Sequence, residues 1–367
     1  MRILACRIIR YRACRAWCVA LALGVLAGCG WGAAAAGTNA GRASPRLSVH
    51  VVGNRLVTAK GRPIRLLGVN RSGAEYACVS PPAQRLRPFA GPTGKQAIAA
   101  MMTWRINTVR VPLNEDCWLG INGAPRRYSS AHYRRVVARY VARLHRAGLY
   151  VVLDLHWSAP GTTRAVGQVE MADLDHAPVF WRSVARTFKS NPAVIFDIYS
   201  EPHSIGWKCW RDGCTMPGGW RAAGMQTLVH AVRSSGARQP IIVTGMDWGT
   251  HVSSWLKYRP RDPAKQLAAG VHVYDFTACA SPDCWTSTFK RLARAVPLVA
   301  TEVGERACSG DFMNRFLDWA DAARVSYLGW GWNPAGCGAP SLIRSWDGHP
   351  TAPGRQLRHH LRAKRRR

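Results

Sequence analysis

Short apolar runs alternate with amphipathic stretches along most of the chain. The apolar runs have the length of strands and lie at Ile64–Val69, Thr108–Val111, Tyr150–Leu155, Val194–Tyr199, Ile241–Thr244, Gly270–Val273, Leu298–Thr301 and Ser326–Gly329. Between them, Tyr133–Ala147 places apolar residues three and four positions apart, which is the spacing of one helix face. The same spacing predicts helices at Pro178–Phe188, Trp220–Val232, Trp285–Ala295 and Asp311–Ala323. Strands that alternate with helices are typical of parallel βα units.

The number of predicted strands indicates the fold class. Eight βα units predict an α/β fold closed into a (β/α)8 TIM barrel, with an open doubly wound sheet as the alternative. No glycine-rich phosphate loop follows the first strand, which disfavours the dinucleotide-binding form of the open sheet. Gly53-Asn54, between two apolar runs, predicts a short N-terminal β-hairpin at the bottom of the barrel. We expect a single domain over residues 47–354.

The N-terminal segment has the pattern of an export signal. Five arginines precede the apolar run from Ala16 to Leu26, which is shorter than the ~20 residues that span a bilayer. The run ends in Leu26-Ala27-Gly28-Cys29, which resembles a bacterial lipobox. We expect residues 1–28 to be a signal peptide of the lipoprotein type, Cys29 to carry a lipid anchor, and residues 29–46 to form a flexible tether. Cleavage within residues 32–36 is the alternative and would give a soluble secreted protein.

Cysteine usage agrees with export to the outer membrane, the periplasm or the cell exterior. Eight cysteines follow Cys29, and an even number in an oxidising compartment predicts disulfides, although sequence alone cannot fix their pairing. Two close couples are natural bridges across loops, and the other four cysteines would form the remaining two. The expected pairs are Cys209/Cys214, Cys279/Cys284, Cys78/Cys117 and Cys308/Cys337. A zinc site is the alternative, but no CxxC with a matching second pair or histidine pair is present.

The net charge of +31 is extreme. Such a charge is typical of proteins that bind nucleic acid, an anionic envelope or an acidic polysaccharide. The arginines are spread along the whole chain without a nucleic-acid-binding motif, so we expect no nucleic acid partner. They are most concentrated in residues 355–367, which we expect to form an exposed basic C-terminal tail with affinity for anionic surfaces.

Titratable and aromatic residues follow the predicted strands. In a barrel, the carboxyl ends of the strands meet at one rim, where active sites lie. These positions hold Arg110, Asn114, His156, Trp157, Ser200, Glu201, His272, Tyr274, Glu302, Trp330 and Trp332. Glu201 and Glu302 follow the fourth and seventh strands and would face each other across the barrel mouth. Glycosidic cleavage requires such a pair, with one carboxyl protonated to donate to the leaving oxygen and the other ionised.

Eight short motifs, taken in order, resemble one known family. They are Leu66-Leu67-Gly68-Val69-Asn70, Asn107-Thr108-Val109-Arg110-Val111-Pro112, Val152-Leu153-Asp154-Leu155-His156-Trp157, Pro192-Ala193-Val194-Ile195-Phe196, Glu201-Pro202-His203, Val271-His272-Val273-Tyr274, Thr301-Glu302-Val303-Gly304 and Trp330-Gly331-Trp332-Asn333-Pro334. The set resembles the cellulase-type enzymes of glycoside hydrolase family 5, from about Leu47 to the C-terminal region. The resemblance implies a retaining β-glycosidase on a (β/α)8 barrel.

The resemblance also implies roles for the residues around the two carboxyl groups. Glu201 would be the acid/base and Glu302 the nucleophile. Arg110 and Tyr274 would hydrogen-bond Glu302 and keep it ionised, because a nearby cation lowers the pKa of a carboxyl group.

The sugar-binding residues follow in the same way. His156 and His272 would line the −1 subsite, and Trp330 would be the stacking floor, with Trp332 as the second candidate. Ser200 departs from the family, which places asparagine immediately before the acid/base to contact the sugar 2-hydroxyl. A serine hydroxyl is shorter, so the departure predicts a slower rate or a differently seated sugar.

Further residues are candidates for the cleft wall or for ordinary loop and core packing. They are Asn114, Glu115, Asp116, Trp118, Asp247-Trp248, Trp207, Trp210, Trp220, Trp285 and Trp346.

With the resemblance, we expect a monomeric, endo-acting, retaining β-glycoside hydrolase that binds a polysaccharide or oligosaccharide, with β-1,4-glucan as the first guess. The chemistry requires no metal and no cofactor. One alternative is a catalytically weakened barrel that acts as a carbohydrate-binding protein, motivated by Ser200. Another is a binder of anionic polymers driven by charge, whose affinity would fall steeply with salt.

Overall fold

The computed structural model describes residues 47–80 and 86–364. The predicted signal peptide, the tether and the lipidation of Cys29 fall on residues 1–46 and lie outside the described residues. Among the helices of the described part, none has the length and apolar character that crossing a bilayer requires.

A small antiparallel sheet covers one end of the barrel. It consists of β1 (His50–Val52), β2 (Arg55–Val57) and β3 (Pro63–Ile64). Gly53 has a φ of 58° in the turn between β1 and β2, a conformation that glycine adopts without steric cost. Val49 and Leu56 pack in one buried cluster with residues near the amino ends of the barrel strands, among them Leu66 and Tyr150. The predicted hairpin is present and gains β3 as a third strand.

Eight parallel strands form the closed barrel. They are β4 (Leu67–Asn70), β5 (Thr108–Asn114), β6 (Tyr150–Trp157), β7 (Val194–Asp197), β8 (Ile241–Thr244), β9 (Leu267–Tyr274), β10 (Leu298–Gly304) and β11 (Ser326–Gly329). Each strand pairs with the next along the chain, and β11 pairs with β4 to close the ring. Almost every strand residue is buried, because such strands are covered on both faces, and this explains their continuous apolar runs. The predicted TIM barrel is confirmed, and the open sheet is wrong.

Helices surround the barrel. They are α1 (Lys95–Met102), α2 (Glu115–Leu119), α3 (Ser130–Arg146), α4 (Ala177–Phe188), α5 (Trp207–Asp212), α6 (Gly224–Ser234), α7 (Trp255–Tyr258), α8 (Pro282–Cys284), α9 (Lys290–Ala293), α10 (Asp311–Ala322) and α11 (Ala352–Lys364). A π-helical turn, Trp285–Phe289, joins α8 to α9. The five predicted helices are present within a few residues. Those that the sequence did not predict are mostly too short to show a helical period.

The expected exposed tail at residues 355–367 is wrong for the part that the structure describes, because α11 continues to Lys364. Leu357 and Leu361 lie four positions apart and are buried against the barrel. His360 Nδ1 lies 3.0 Å from Asp321 Oδ2 of α10. The folded domain therefore extends past the predicted boundary at residue 354.

All four expected disulfides are present. They are Cys78–Cys117, Cys209–Cys214, Cys279–Cys284 and Cys308–Cys337. The first ties the loop after β4 to α2, and the last ties the loops after β10 and β11. These eight cysteines are therefore not ligands of the alternative zinc site.

Candidate functional site

Two carboxyl groups meet at the carboxyl end of the barrel. Glu201 follows β7, and the preceding Ser200 backbone N–H donates to the carbonyl of Leu155 in β6 at 3.2 Å, which fixes the start of this loop to the barrel. Glu302 lies within β10, beside a shift in the register with β9, and such bulges commonly re-aim a side chain at a functional site. His272 of β9 lies between them, with Nδ1 2.8 Å from Glu201 Oε1 and 3.6 Å from Glu302 Oε2. One oxygen of each carboxyl group lies within 4.8 Å of the other.

Arg110 is the centre of the charged network below this pair. Its guanidinium is completely buried and contacts Glu302 at 2.7 Å, Asp197 at 2.9 Å and Asp154 at 3.0 Å. It also donates to Ser200 Oγ at 3.0 Å. Burial opposes the charge of Arg110, but the three carboxylates outweigh it and raise its pKa.

The Glu302 carboxylate is held in its ionised form. Burial would raise its pKa, but the positive charges of His272 and Arg110 outweigh burial and lower the pKa to about 2. The Tyr274 hydroxyl donates to Glu302 Oε2 at 2.5 Å. The side chain of Glu302 is only 3% exposed, whereas that of Glu201 is 15% exposed. The two carboxyl groups therefore have different surroundings.

His156 forms one wall of the site. Its ring stacks on Trp330 with centroids 5.3 Å apart and an interplanar angle of 13°. Nδ1 lies 2.8 Å from Asp154 Oδ2. Burial disfavours the imidazolium, but the hydrogen bond and charge of Asp154 outweigh it and raise the pKa of His156 to about 9. A protonated His156 therefore adds positive charge near Glu302.

A cleft of about 670 Å³ opens above these groups. Its lining residues are His156, Gln168, Glu201, Asp247, Trp248, Thr250, Tyr274, Phe276, Thr277, Ala278, Glu302, Arg306, Trp330 and Pro340. Of the predicted site residues, Arg110, Ser200 and His272 are fully buried and lie behind this surface. The structure thus differs from the expectation that His272 lines the sugar subsite, because its ring is enclosed between the two carboxyl groups.

Two exposed aromatic side chains border the cleft. Trp248 is 46% exposed and stacks on His203, with ring centroids 3.6 Å apart. Asp247 and Trp248 have φ values of 52° and 60°, a strained conformation for non-glycine residues that clusters at functional sites. Phe276 is 49% exposed and lies under the Arg306 guanidinium, which is 4.0 Å from the ring centroid. Sequence reasoning missed Phe276 and Arg306, whose signal was their position just after Tyr274 and Glu302.

Several candidates for the cleft wall belong to the core instead. The fully buried ones are Asn114, Glu115, Asp116, Trp118, Trp210, Trp285 and Trp332. Asn114 caps α2 by accepting from the Cys117 N–H at 3.0 Å. Trp332, the second candidate for the stacking floor, packs edge-on against Trp104 with centroids 4.8 Å apart. Trp207, Trp220 and Trp346 do not line the cleft.

Two groups among the described residues have donor atoms close enough to hold a metal ion. One is Glu201, His272 and Glu302, and the other is Glu115, Asp173 and His176. In the first group, the Arg110 guanidinium already donates a hydrogen bond to Glu302 Oε1 at 2.7 Å and supplies positive charge. A cation is therefore disfavoured there.

Comparison with known proteins places this geometry in a family. A family model described as cellulase (glycosyl hydrolase family 5) matches residues 57–336. The chain belongs to glycosyl hydrolase family 5. This match confirms the resemblance indicated by the sequence motifs.

Curated proteins and solved structures resemble the chain over most of its length. An endoglucanase from Microbulbifer sp. (strain ALW1) is 22% identical over 321 residues, covering 80% of this chain and 54% of the relative. A mannan endo-1,4-β-mannosidase from Salipaludibacillus agaradhaerens is 23% identical over 320 residues, covering 84% of this chain and 90% of the relative. A β-glucanase structure from Saccharophagus degradans, solved with cellotetraose, matches with a TM-score of 0.68 at 18% identity, covering 88% of this chain and 94% of that one. The present chain spans about half the length of the first curated relatives that it matches.

Proposed function

We propose that the protein is a retaining, endo-acting β-glycoside hydrolase. The observation that carries the proposal is the approach of Glu201 and Glu302, with carboxyl oxygens within 4.8 Å of each other. Retaining enzymes hold their two carboxyl groups about 5–5.5 Å apart, whereas inverting enzymes need about 6.5–9.5 Å to admit a water molecule. The short separation favours double displacement.

In the first step, Glu302 attacks the anomeric carbon while Glu201 protonates the leaving glycosidic oxygen. The bond from carbon to the leaving oxygen breaks, and a glycosyl ester forms on Glu302. Arg110 and Tyr274 support this step, because their hydrogen bonds keep Glu302 ionised and direct it. His272 is a positioning residue that holds Glu201 through its ring nitrogen.

In the second step, Glu201 takes a proton from water, which attacks the anomeric carbon of the ester. The bond between carbon and Glu302 breaks, so the carboxylate is regenerated and the sugar leaves with its original configuration.

The cleft surface supports a polymeric substrate. Trp330 presents the floor, and the exposed face of Trp248, whose other face stacks on His203, borders the cleft, where a further sugar ring can stack. Aromatic faces beyond one sugar site fit internal cleavage of a chain. Relatives named as endoglucanase and mannanase suggest β-1,4-glucan first and mannan second.

A catalytically weakened, carbohydrate-binding barrel is the second candidate. This candidate rests on Ser200. Its side chain is fully buried and accepts a hydrogen bond from Arg110 instead of reaching the cleft. A contact to the sugar 2-hydroxyl that would strengthen in the transition state is then absent from this position.

We also propose that the protein acts as an exported monomer. The four disulfides support export, since such bonds persist in oxidising compartments. Lipidation of Cys29 stays a prediction.

Product analysis on β-glucans, mannans and acidic polysaccharides tests activity, linkage and cleavage mode together. We expect wild type to release oligosaccharides, Glu302→Ala to release none, and azide to restore cleavage in that variant by replacing the lost nucleophile. An Asp318→Asn variant, changed at an exposed carboxylate, is the control. Full activity in Glu302→Ala would contradict the assignment. Retention on polysaccharide gels without product from wild type would favour the binding protein.

A further inference from the structure

A second cluster of donor atoms lies outside the cleft. It consists of Glu115 at the start of α2, Asp173 in the loop of residues 158–176, and His176 at the start of α4. Their candidate donor atoms all lie within 4.8 Å of one another. His176 Nδ1 is 3.6 Å from Asp173 Oδ1 and 3.9 Å from Glu115 Oε1. None of these residues lines the cleft.

Each residue of this cluster has a buried polar atom without a hydrogen-bond partner. These atoms are Glu115 Oε2, Asp173 Oδ2 and His176 Nδ1. Glu115 and Asp173 are fully buried. Within the described ranges, no lysine or arginine forms an ion pair with either carboxylate; only His176 is near both. A buried charge is costly unless it is paired or bound to a metal.

We propose that Glu115, Asp173 and His176 bind a divalent metal ion. Two carboxylates and one imidazole suit a first-row transition ion such as Mn²⁺, because carboxylates suit Mg²⁺, Ca²⁺ and Mn²⁺ whereas imidazole suits the transition metals. The double positive charge of the ion offsets the two carboxylates, and water completes its coordination. The ion supplies no bond chemistry to the cleft, from which its ligands are separate.

The ion joins three segments of the rim. Asp173 also pairs through its backbone with Ala222 before α6, so this ligand is fixed to a further segment of the chain. The same loop contributes Gln168 to the cleft, and its Glu170 carbonyl accepts from the His203 N–H at 3.0 Å. Binding of the ion therefore stabilises the wall beside Glu201.

Titration of the full chain with Mn²⁺ alone, followed by electron paramagnetic resonance, tests the proposal. Mn²⁺ is the probe because it suits carboxylate ligands and its paramagnetism reports an imidazole ligand directly. We expect about one bound ion per wild-type chain and nitrogen coupling from an imidazole ligand. Glu115→Gln and Asp173→Asn should weaken binding at least tenfold. Asp175→Asn, an exposed neighbour in the same loop, should leave binding unchanged.

Absence of Mn²⁺ binding by wild type would overturn the proposal and would indicate that Glu115 and Asp173 share a proton instead. Unchanged binding in both variants, or binding lost only in Glu201→Gln, would also overturn it. If the variants fail to fold, measurements on the wild type and on Glu201→Gln test the proposal. Mn²⁺ should then raise its melting temperature relative to EDTA, and the nitrogen coupling should persist in Glu201→Gln. None of these measurements depends on hydrolytic activity.

Discussion

Two buried groups of carboxylates in this barrel are stabilised in different ways. Asp154, Asp197 and Glu302 surround the buried guanidinium of Arg110, so their charge is compensated within the chain. Among the described residues, the His176 ring is the only side chain that forms an ion pair with Glu115 or Asp173, and each carboxylate also accepts one backbone N–H, from Ala159 and His176 respectively. The fold therefore holds Glu302 of the first group ionised, although burial raises the pKa of Asp197 in the same group to about 7, while the second group depends on a proton or an ion from solution.

The difference explains why the first group suits nucleophilic chemistry. A carboxylate must be ionised and desolvated to attack, and burial alone would neutralise it. At Glu302, Arg110 and Tyr274 offset the effect of burial by donating hydrogen bonds to both carboxylate oxygens. In the second group burial is not offset, and it raises the pKa of Glu115 well above the usual range.

The largest expected effect is on the chemical step at Glu302. Glu302→Gln keeps the shape but removes the nucleophile, so kcat should fall by at least about 10⁴-fold. Initial rates on a soluble β-glucan measure the change. Glu305→Gln is the control, because Glu305 is also buried but accepts from the Gly310 and Met313 N–H groups and should affect stability rather than the chemical step. Equal rate losses in both variants would contradict the assignment.

Arg110→Met removes the cation that the three carboxylates of the first group share. Three buried carboxylates lose their shared cation, so the free energy of unfolding should fall by about 3–5 kcal/mol. Urea unfolding at neutral pH measures it. Arg233→Met is the control, because within the described part of the chain Arg233 forms an ion pair with a single carboxylate, Asp262, so its loss should lower the free energy of unfolding less. A smaller loss in Arg110→Met than in Arg233→Met would show that the compensation is not centred on Arg110.

Trp248 lies on the cleft wall outside both groups and should affect binding only. Trp248→Ala removes an exposed stacking face, so KM should rise about tenfold, equivalent to ~1.4 kcal/mol, with little change in kcat. Kinetics on cello-oligosaccharides measure both constants. Trp220→Ala, which changes a tryptophan outside the cleft, should leave KM unchanged. A lower kcat with unchanged KM in Trp248→Ala would argue against a stacking role.

The protonation of His156, which contacts Asp154 of the first group, makes the stability of the protein depend on pH. Its folded-state pKa is raised to about 9 from the ordinary value of 6.5. Its contribution to stability is therefore fully present below pH 6.5 and is lost as the pH rises through 9. Melting temperatures of wild type should fall across this window, and those of His156→Gln should fall less. If the melting temperatures of the two proteins fall equally across this pH range, His156 does not cause the pH dependence.

The smallest expected effect belongs to the second group. In EDTA, Glu115→Gln should be at least as stable as wild type, because the new amide can donate to Asp173 without taking up a proton. Thermal unfolding measures the difference. A loss as large as that of Arg110→Met would show that the two groups are not stabilised differently.

The barrel and the rim could be predicted from sequence because both follow from local patterns. Apolar runs marked the strands, and parallel topology brings the ends of all strands together, so Glu201 and Glu302 were expected to meet. Their shared contact with His272 could not be predicted, because it depends on side-chain directions beside the bulge in β10.

Other features depend on distant or unpatterned contacts. α11 was missed because its arginines obscured the spacing of Leu357 and Leu361. Glu115 and Asp173 are far apart in the chain, and only the fold of the loop of residues 158–176 brings them together. Phe276 and Arg306 lie on loops, which carry no periodic signal.

The configuration of the first product tests the central claim most directly. Proton magnetic resonance during early hydrolysis of a cello-oligosaccharide distinguishes the two anomers before they equilibrate. Double displacement through Glu302 and Glu201 predicts that the β-anomer forms first. Initial formation of the α-anomer would contradict it.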